Sequence, residues 1–119
     1  MVATDVNSAT WDETVLQSSV PVIADFWASW CPWCKRLMPD FDSLPDDFVG
    51  RLKFVKVNIE EAPEIASRYG VQSLPTLKFI CGGSVVGEIV GYMPRNPLKT
   101  QLETMLANHP DCLARSNIQ

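Results

Sequence analysis

Pro21-Val22-Ile23-Ala24-Asp25-Phe26-Trp27-Ala28-Ser29-Trp30-Cys31-Pro32-Trp33-Cys34 is the stretch on which the reading of this chain turns. Val22 to Trp27 is apolar at odd and even positions alike, the pattern of a central strand covered by helices on both faces. Only Asp25 interrupts it. An unpartnered carboxylate in such a strand is costly, so Asp25 is expected either to have a partner or to carry a raised pKa. The strand then delivers two thiols, Cys31 and Cys34, to what reads as the start of a helix.

Working outward, Val2 to Val6 reads as a short first strand, followed by a helix whose start matches a capping box at Thr10-Trp11-Asp12-Glu13. Trp11, Val15 and Leu16 face inward on it. Beyond the cysteines, Leu37, Phe41, Leu44 and Phe48 recur at helical spacing, with a bend expected at Pro39 and an end or interruption at Pro45. Leu52 to Ile59 is the next strand, and its interior Lys56 is the natural partner for Asp25. Pro63 and Gly70 bracket a short helix. Leu74-Pro75-Thr76 leads into the strand Leu77 to Cys81, and Gly82-Gly83 supplies a tight turn into an antiparallel return strand, Ser84 to Val90. Gly91 closes that strand. Pro97 to Asn108 is a last helix with Leu98, Leu102, Met105 and Leu106 on one face, and His109 to Gln119 reads as a loose tail. The order β-α-β-α-β-α-β-β-α describes an α/β fold: a mixed sheet of about five strands flanked by about four helices.

A chain of 119 residues suits one core, here a domain over 1–108 and the tail over 109–119. The net charge of −4 and the dispersed Lys and Arg leave no basic stripe to follow a phosphate backbone, so nucleic acid is not expected as a partner. The first residues lack the regions of a signal peptide and no apolar run is long enough for a bilayer; the expected location is cytoplasmic, without membrane contact. Four cysteines are too few for a disulfide scaffold, which turns attention to redox or metal chemistry at the Cys-x-x-Cys pair.

These residues together resemble the thioredoxin family. Asp25-Phe26-Trp27-Ala28, Trp30-Cys31-x-x-Cys34-Lys35, Pro39, Lys56, Leu74-Pro75-Thr76 and Gly91 all fall where that family's pattern puts them. The similarity covers roughly Val6 to Asn108. It implies the thioredoxin fold, thiol–disulfide exchange on protein substrates without a bound cofactor, and a cis peptide at Leu74-Pro75, where an X-Pro bond taken alone is mostly trans. The family's usual Cys-Gly-Pro-Cys is replaced here by Cys31-Pro32-Trp33-Cys34, and a Cys-Pro-aromatic-Cys is similar to glutaredoxin.

Only a thiolate attacks a disulfide, and Cys31, placed before a helix where orphan amides and the dipole favour negative charge, is assigned as nucleophile. Cys34 resolves the mixed disulfide. A buried Asp25 accepts its proton, and Lys56 tunes Asp25 as a counter-charge; the plainer alternative is that Asp25 and Lys56 form a structural ion pair. An N-cap thiolate accepts from the amides two and three residues on, Trp33 and Cys34, whereas the usual motif has a proline two residues on. The Cys31 pKa is therefore expected to be lower than in an ordinary thioredoxin, and the disulfide more oxidising.

Trp30, Trp33, Leu74, Pro75, Gly91 and Tyr92 are expected to form an apolar docking surface, with the Leu74 backbone open to an added substrate strand; packing roles for the two tryptophans are the alternative. Trp27 and Trp11 read as core. Cys81 and Cys112 fall at the far pole, where a bond is conceivable but two free thiols are expected. The expected function is reduction of protein disulfides by a monomer recharged by a flavin reductase, a ferredoxin-linked reductase or glutathione. The alternatives are a more oxidising or glutathione-coupled enzyme, a zinc site built from Cys31, Cys34, His109 and Cys112, a bridging iron–sulfur cluster at Cys31, and an interaction module with vestigial cysteines.

Overall fold

The computed structural model describes residues 2–112. Five strands, β1 (Thr4–Val6), β2 (Val22–Trp27), β3 (Lys53–Asn58), β4 (Thr76–Cys81) and β5 (Ser84–Val90), form one sheet in the order β1-β3-β2-β4-β5. β2 is thus the middle strand, parallel to β3 and antiparallel to β4. β1 and β3 are parallel, and β4 and β5 form the antiparallel hairpin. Gly82 and Gly83 turn it at φ of 57° and 83°, a conformation that costs an L side chain and not a glycine.

Alternation along β2 sends its residues to two cores. Ile23 packs with Leu37, Phe41, Phe54, Leu77, Phe79, Leu98 and Leu102 beneath helices α1 (Pro32–Ser43) and α3 (Arg95–Asn108). Val22, Ala24 and Phe26 pack with Trp11, Val15, Val55, Val57 and Ile65 on the opposite face, covered by the first helical segment and α2 (Pro63–Arg68). Burial on both faces explains the unbroken apolar run of the central strand.

Two helix boundaries differ from the sequence reading. The first helix is capped three residues before the Thr10–Glu13 box. Asn7 Oδ1 accepts from the amides of Ala9 (2.9 Å) and Thr10 (3.2 Å), while Thr10 Oγ1 receives the Asn7 amide at 3.0 Å. Asn is the stronger N-cap, so Asn7 takes the capping position and Thr10 the reciprocal one. The segment Asp12–Leu16 then winds wider, as a π-helix. α3 begins at Arg95, behind Pro94, rather than at Pro97.

α1 continues through Pro39 and gives way at Leu44–Asp47 to a 3₁₀ turn containing Pro45. That turn and the π-helix bring the helical segments up to Asn108 to five, where about four were expected, and residues 110–112 are helical again. Past Asn108 the chain does not leave the domain at once. His109 lies against Phe79, ring centroids 6.0 Å apart, and Cys112 is buried. Residues 113–119 of the expected tail lie outside the described residues.

Candidate active site

β2 ends at Trp27, and a short loop, Ala28 to Trp30, connects it to α1. The loop is pinned from β3's side: the Ile59 amide donates to the Trp27 carbonyl at 2.9 Å, and the Ser29 amide and hydroxyl donate to the Glu60 carboxylate at 2.9 and 2.8 Å. Those two donors hold the Glu60 carboxyl below the usual range. Cys31 is the N-cap of α1 and Pro32 its first residue, a position where a missing amide is no loss.

Cys31 and Cys34 are joined as a disulfide, with Cα atoms 5.3 Å apart. Cys34 is fully buried and Cys31 nearly so, packed with Ala28 and against Trp27, Ile59 and Leu74. Cys31 Sγ accepts the Cys34 amide at 3.2 Å. The Trp33 amide, the second donor expected from the sequence, makes no hydrogen bond to it in this disulfide form.

Asp25 is fully buried and neither carboxylate oxygen has a hydrogen-bond partner. Its pKa is pushed up to about 7, chiefly by burial; the charge of Lys56 opposes that shift and the charge of Asp42 adds to it. The plainer alternative, a structural ion pair with Lys56, does not form, although the two residues sit opposite each other on β2 and β3. Lys56 Nζ lies instead 3.1 Å from Asp42 Oδ1, on α1, and 3.9 Å from Asp5 Oδ1, its register partner on β1. Lys56 reaches carboxylates that keep contact with water, and the dry one is left neutral-leaning.

The Leu74-Pro75 peptide is cis, and the Gly91 amide donates to the Pro75 carbonyl at 2.8 Å, tying the end of β5 to this turn. Neither the N–H nor the C=O of Leu74 is hydrogen-bonded to a described residue. Trp33, Leu74, Gly91 and Tyr92 together line a groove of about 360 Å³. Trp30 and Trp33 are 64% and 54% exposed, so neither is a core residue, while Pro75 is buried under the turn. Trp27 is half-buried, with its indole N–H unpartnered.

Two side chains passed over in the sequence belong to this site. Asp42 captures Lys56. Arg36 lies over both Trp33 and Tyr92, its guanidinium carbon 5.6 Å from each ring, a cation–π position whose only sequence signal is the i,i+3 spacing from Trp33. The zinc set of Cys31, Cys34, His109 and Cys112 is not assembled: Cys31 is bonded to Cys34, and Cys112 to Cys81. The two free thiols expected at Cys81 and Cys112 are thus a second pair, because the turn after α3 brings Cys112 back to the end of β4.

The family model described as Thioredoxin matches residues 2–104. The chain is 42% identical over 104 residues to thioredoxin 1 of Nostoc sp., an alignment covering 87% of this chain and 97% of that one. It is 42% identical over 101 residues to the thioredoxin of Synechocystis sp., covering 85% and 94%. To the chloroplastic M-type thioredoxin of Spinacia oleracea it is 41% identical over 103 residues, 87% of this chain and 57% of that protein, so it spans little more than half of that relative.

Proposed function

This chain belongs to the thioredoxin family and is a thiol–disulfide oxidoreductase, and on that premise we propose that it reduces disulfides of protein substrates through Cys31 and Cys34. In the reduced protein the Cys31 thiolate, stabilised at the N-cap of α1, attacks one sulfur of the substrate disulfide and expels the other as a thiolate. Cys34 then attacks Cys31 Sγ, releasing the second substrate thiol and closing the Cys31–Cys34 bond. Two electrons pass to the substrate, whose two thiolates take one proton from Cys34 by way of Asp25 and one from solvent. Cys34 must lose its proton although it is fully buried, and Asp25, with a pKa near neutrality, accepts it and returns it to the departing thiolate. Lys56 acts on Asp25 as a positive charge at a distance rather than as a contact partner.

The observation that carries this reading is a dithiol at a helix start combined with a buried, unpartnered carboxyl of near-neutral pKa on the strand that feeds it. An extended substrate segment pairs with the open Leu74 backbone and rests on Trp30, Trp33, Gly91 and Tyr92, while Pro75, expected in that surface, is buried and shapes the turn instead. The domain acts as a monomer in the cytoplasm and is recharged by a flavin reductase, a ferredoxin-linked reductase or glutathione. Among the described residues no helix is long and apolar enough to cross a membrane.

The test is trapping. Cys34→Ser should accumulate a stable mixed disulfide between Cys31 and an oxidised protein substrate such as insulin, and Cys31→Ser should accumulate none. Equal trapping by both variants, or by neither, would sink the assignment.

A second reading, a more oxidising or glutathione-coupled enzyme, is favoured by one feature. Pro32 occupies the first helical position, so Trp33 as well as Cys34 keeps its backbone N–H; in the disulfide form only that of Cys34 donates to Cys31 Sγ, and the reduced thiolate takes both. A potential near the thioredoxin value of about −270 mV argues for the first reading, and one displaced toward the glutaredoxin or isomerase range for the second.

A further inference from the structure

We propose that Cys81–Cys112 is a second, non-catalytic disulfide that latches the C-terminal end of the domain to the sheet and stays oxidised while Cys31–Cys34 cycles. The two residues are bonded, with Cα atoms 5.6 Å apart, inside the range that a disulfide spans without backbone movement. Both are buried, at 4% and 2% exposure. Cys112 lies beyond residues 2–104, the span that the family model matches.

The position of the bond separates it from the active site. β4 runs from Thr76, beside the cis turn, to Cys81, and the rise of a strand over that length places Cys81 about 20 Å from Pro75. Cys31 and Cys34 of the same molecule do not reach it. Its environment differs as well. Cys31 caps a twelve-residue helix whose amides stabilise its thiolate, and so favour the reduced form. Cys81 is the last residue of a strand, and Cys112 lies in the helical turn that starts at Pro110, its amide donating to the His109 carbonyl. Burial in apolar surroundings disfavours a thiolate, and at Cys81, a strand end, no helix start opposes that.

The fold meanwhile holds the two sulfurs together from both sides. α3 is anchored by Leu98 and Leu102 in the core, Met105 packs on Gly87 of β5, and His109 lies on Phe79 of β4. Native packing thus supplies a high local concentration of one thiol at the other, and the bond in turn closes a 31-residue separation in the unfolded chain.

Formation balances through a small-molecule disulfide such as oxidised glutathione. A thiolate at Cys81 attacks one of its sulfurs and expels a thiolate; Cys112, deprotonated, then displaces the second. Two cysteine thiols are oxidised and the donor disulfide is reduced to two thiols.

The experiment equilibrates the full chain in graded mixtures of reduced and oxidised dithiothreitol, blocks free thiols and maps each pair by mass spectrometry. Over an intermediate range Cys31 and Cys34 should be alkylated while Cys81 and Cys112 remain linked. Free thiols at Cys81 and Cys112 in the oxidised protein, or both pairs opening at one poise, overturn the proposal. In a companion measurement, Cys112→Ser should lower Tm by roughly 10 °C in oxidising buffer. It should also remove most of the fall in Tm that the parent shows on reduction, and leave insulin reduction unchanged. A parent whose Tm does not respond to reduction overturns the latch equally.

Discussion

Lys56 Nζ stands 3.1 Å from Asp42 Oδ1, and Asp25, which faces Lys56 across two paired strands, is left without any partner. The Lys56 side chain is one-tenth exposed and that of Asp42 about one-quarter, so the ion pair forms at the wet margin of the core. Asp25 beneath it feels one positive and one negative charge, which oppose each other, and burial decides its pKa. The carboxyl proposed to serve the dithiol is therefore held near neutrality chiefly by burial, while the two charges of the ion pair above it oppose each other.

That arrangement sets a pH dependence of stability. The Asp25 carboxyl titrates near 3.8 when exposed and about 7 in the fold. Between those values the folded protein holds a proton that the unfolded chain has lost, so stability falls as pH rises through this window. Below it the cost is absent; above it the cost is full, at most about 4 kcal/mol. Asp25→Asn should therefore be more stable than the parent in denaturant titrations at about pH 8, with the difference closing toward about pH 4. A gain that does not change with pH would refute this account.

Asp42→Asn removes the negative charge that raises Asp25 and frees Lys56 from its 3.1 Å contact. Both changes favour ionised Asp25, so its pKa should fall by roughly one unit. The readout is the Asp25 carboxyl titration followed by NMR, or the acid limb of the pH–rate profile of the resolving step. An unmoved titration would mean that the Lys56–Asp42 pair has no influence on Asp25.

The order of Pro32 and Trp33 predicts a lowered Cys31 pKa in the reduced protein, below the roughly 8.5 of a free thiol. Trp33→Pro deletes one amide from the first turn and should raise the value again. Thiolate absorbance against pH reads both. A parent value close to free cysteine would remove the basis for a more oxidising enzyme.

Gly91 sits at φ 95°, and a Cβ built there meets nothing within 4 Å. Gly91→Ala should therefore destabilise through the backbone alone, by about 1–2 kcal/mol. Because the Gly91 amide holds the Pro75 carbonyl at 2.8 Å, KM for a protein disulfide should rise more than KM for a small aromatic disulfide. An equal rise in both would separate Gly91 from substrate docking.

Much of this was readable before the structure. Val22 to Trp27 is apolar on both faces because it is the middle strand of five, and Gly82-Gly83 turns the hairpin because only glycine takes both φ values freely. The Cys31–Cys34 position followed from a strand running into a proline-started helix. The first helix start was misplaced because Asn7 takes the amides of Ala9 and Thr10 while Thr10 receives the Asn7 amide, a division of roles that spacing alone does not decide.

Local chain chemistry, then, determined the strands, the turn and the dithiol, since hydrophobic period, glycine freedom and proline's missing amide act within a few residues of themselves. The partner of Lys56, the solitude of Asp25, the seat of Arg36 and the pairing of Cys81 with Cys112 were decided only when distant segments met. Charges and thiols choose among whatever the packing brings within a few ångströms, and α1 and the turn after α3 made that selection.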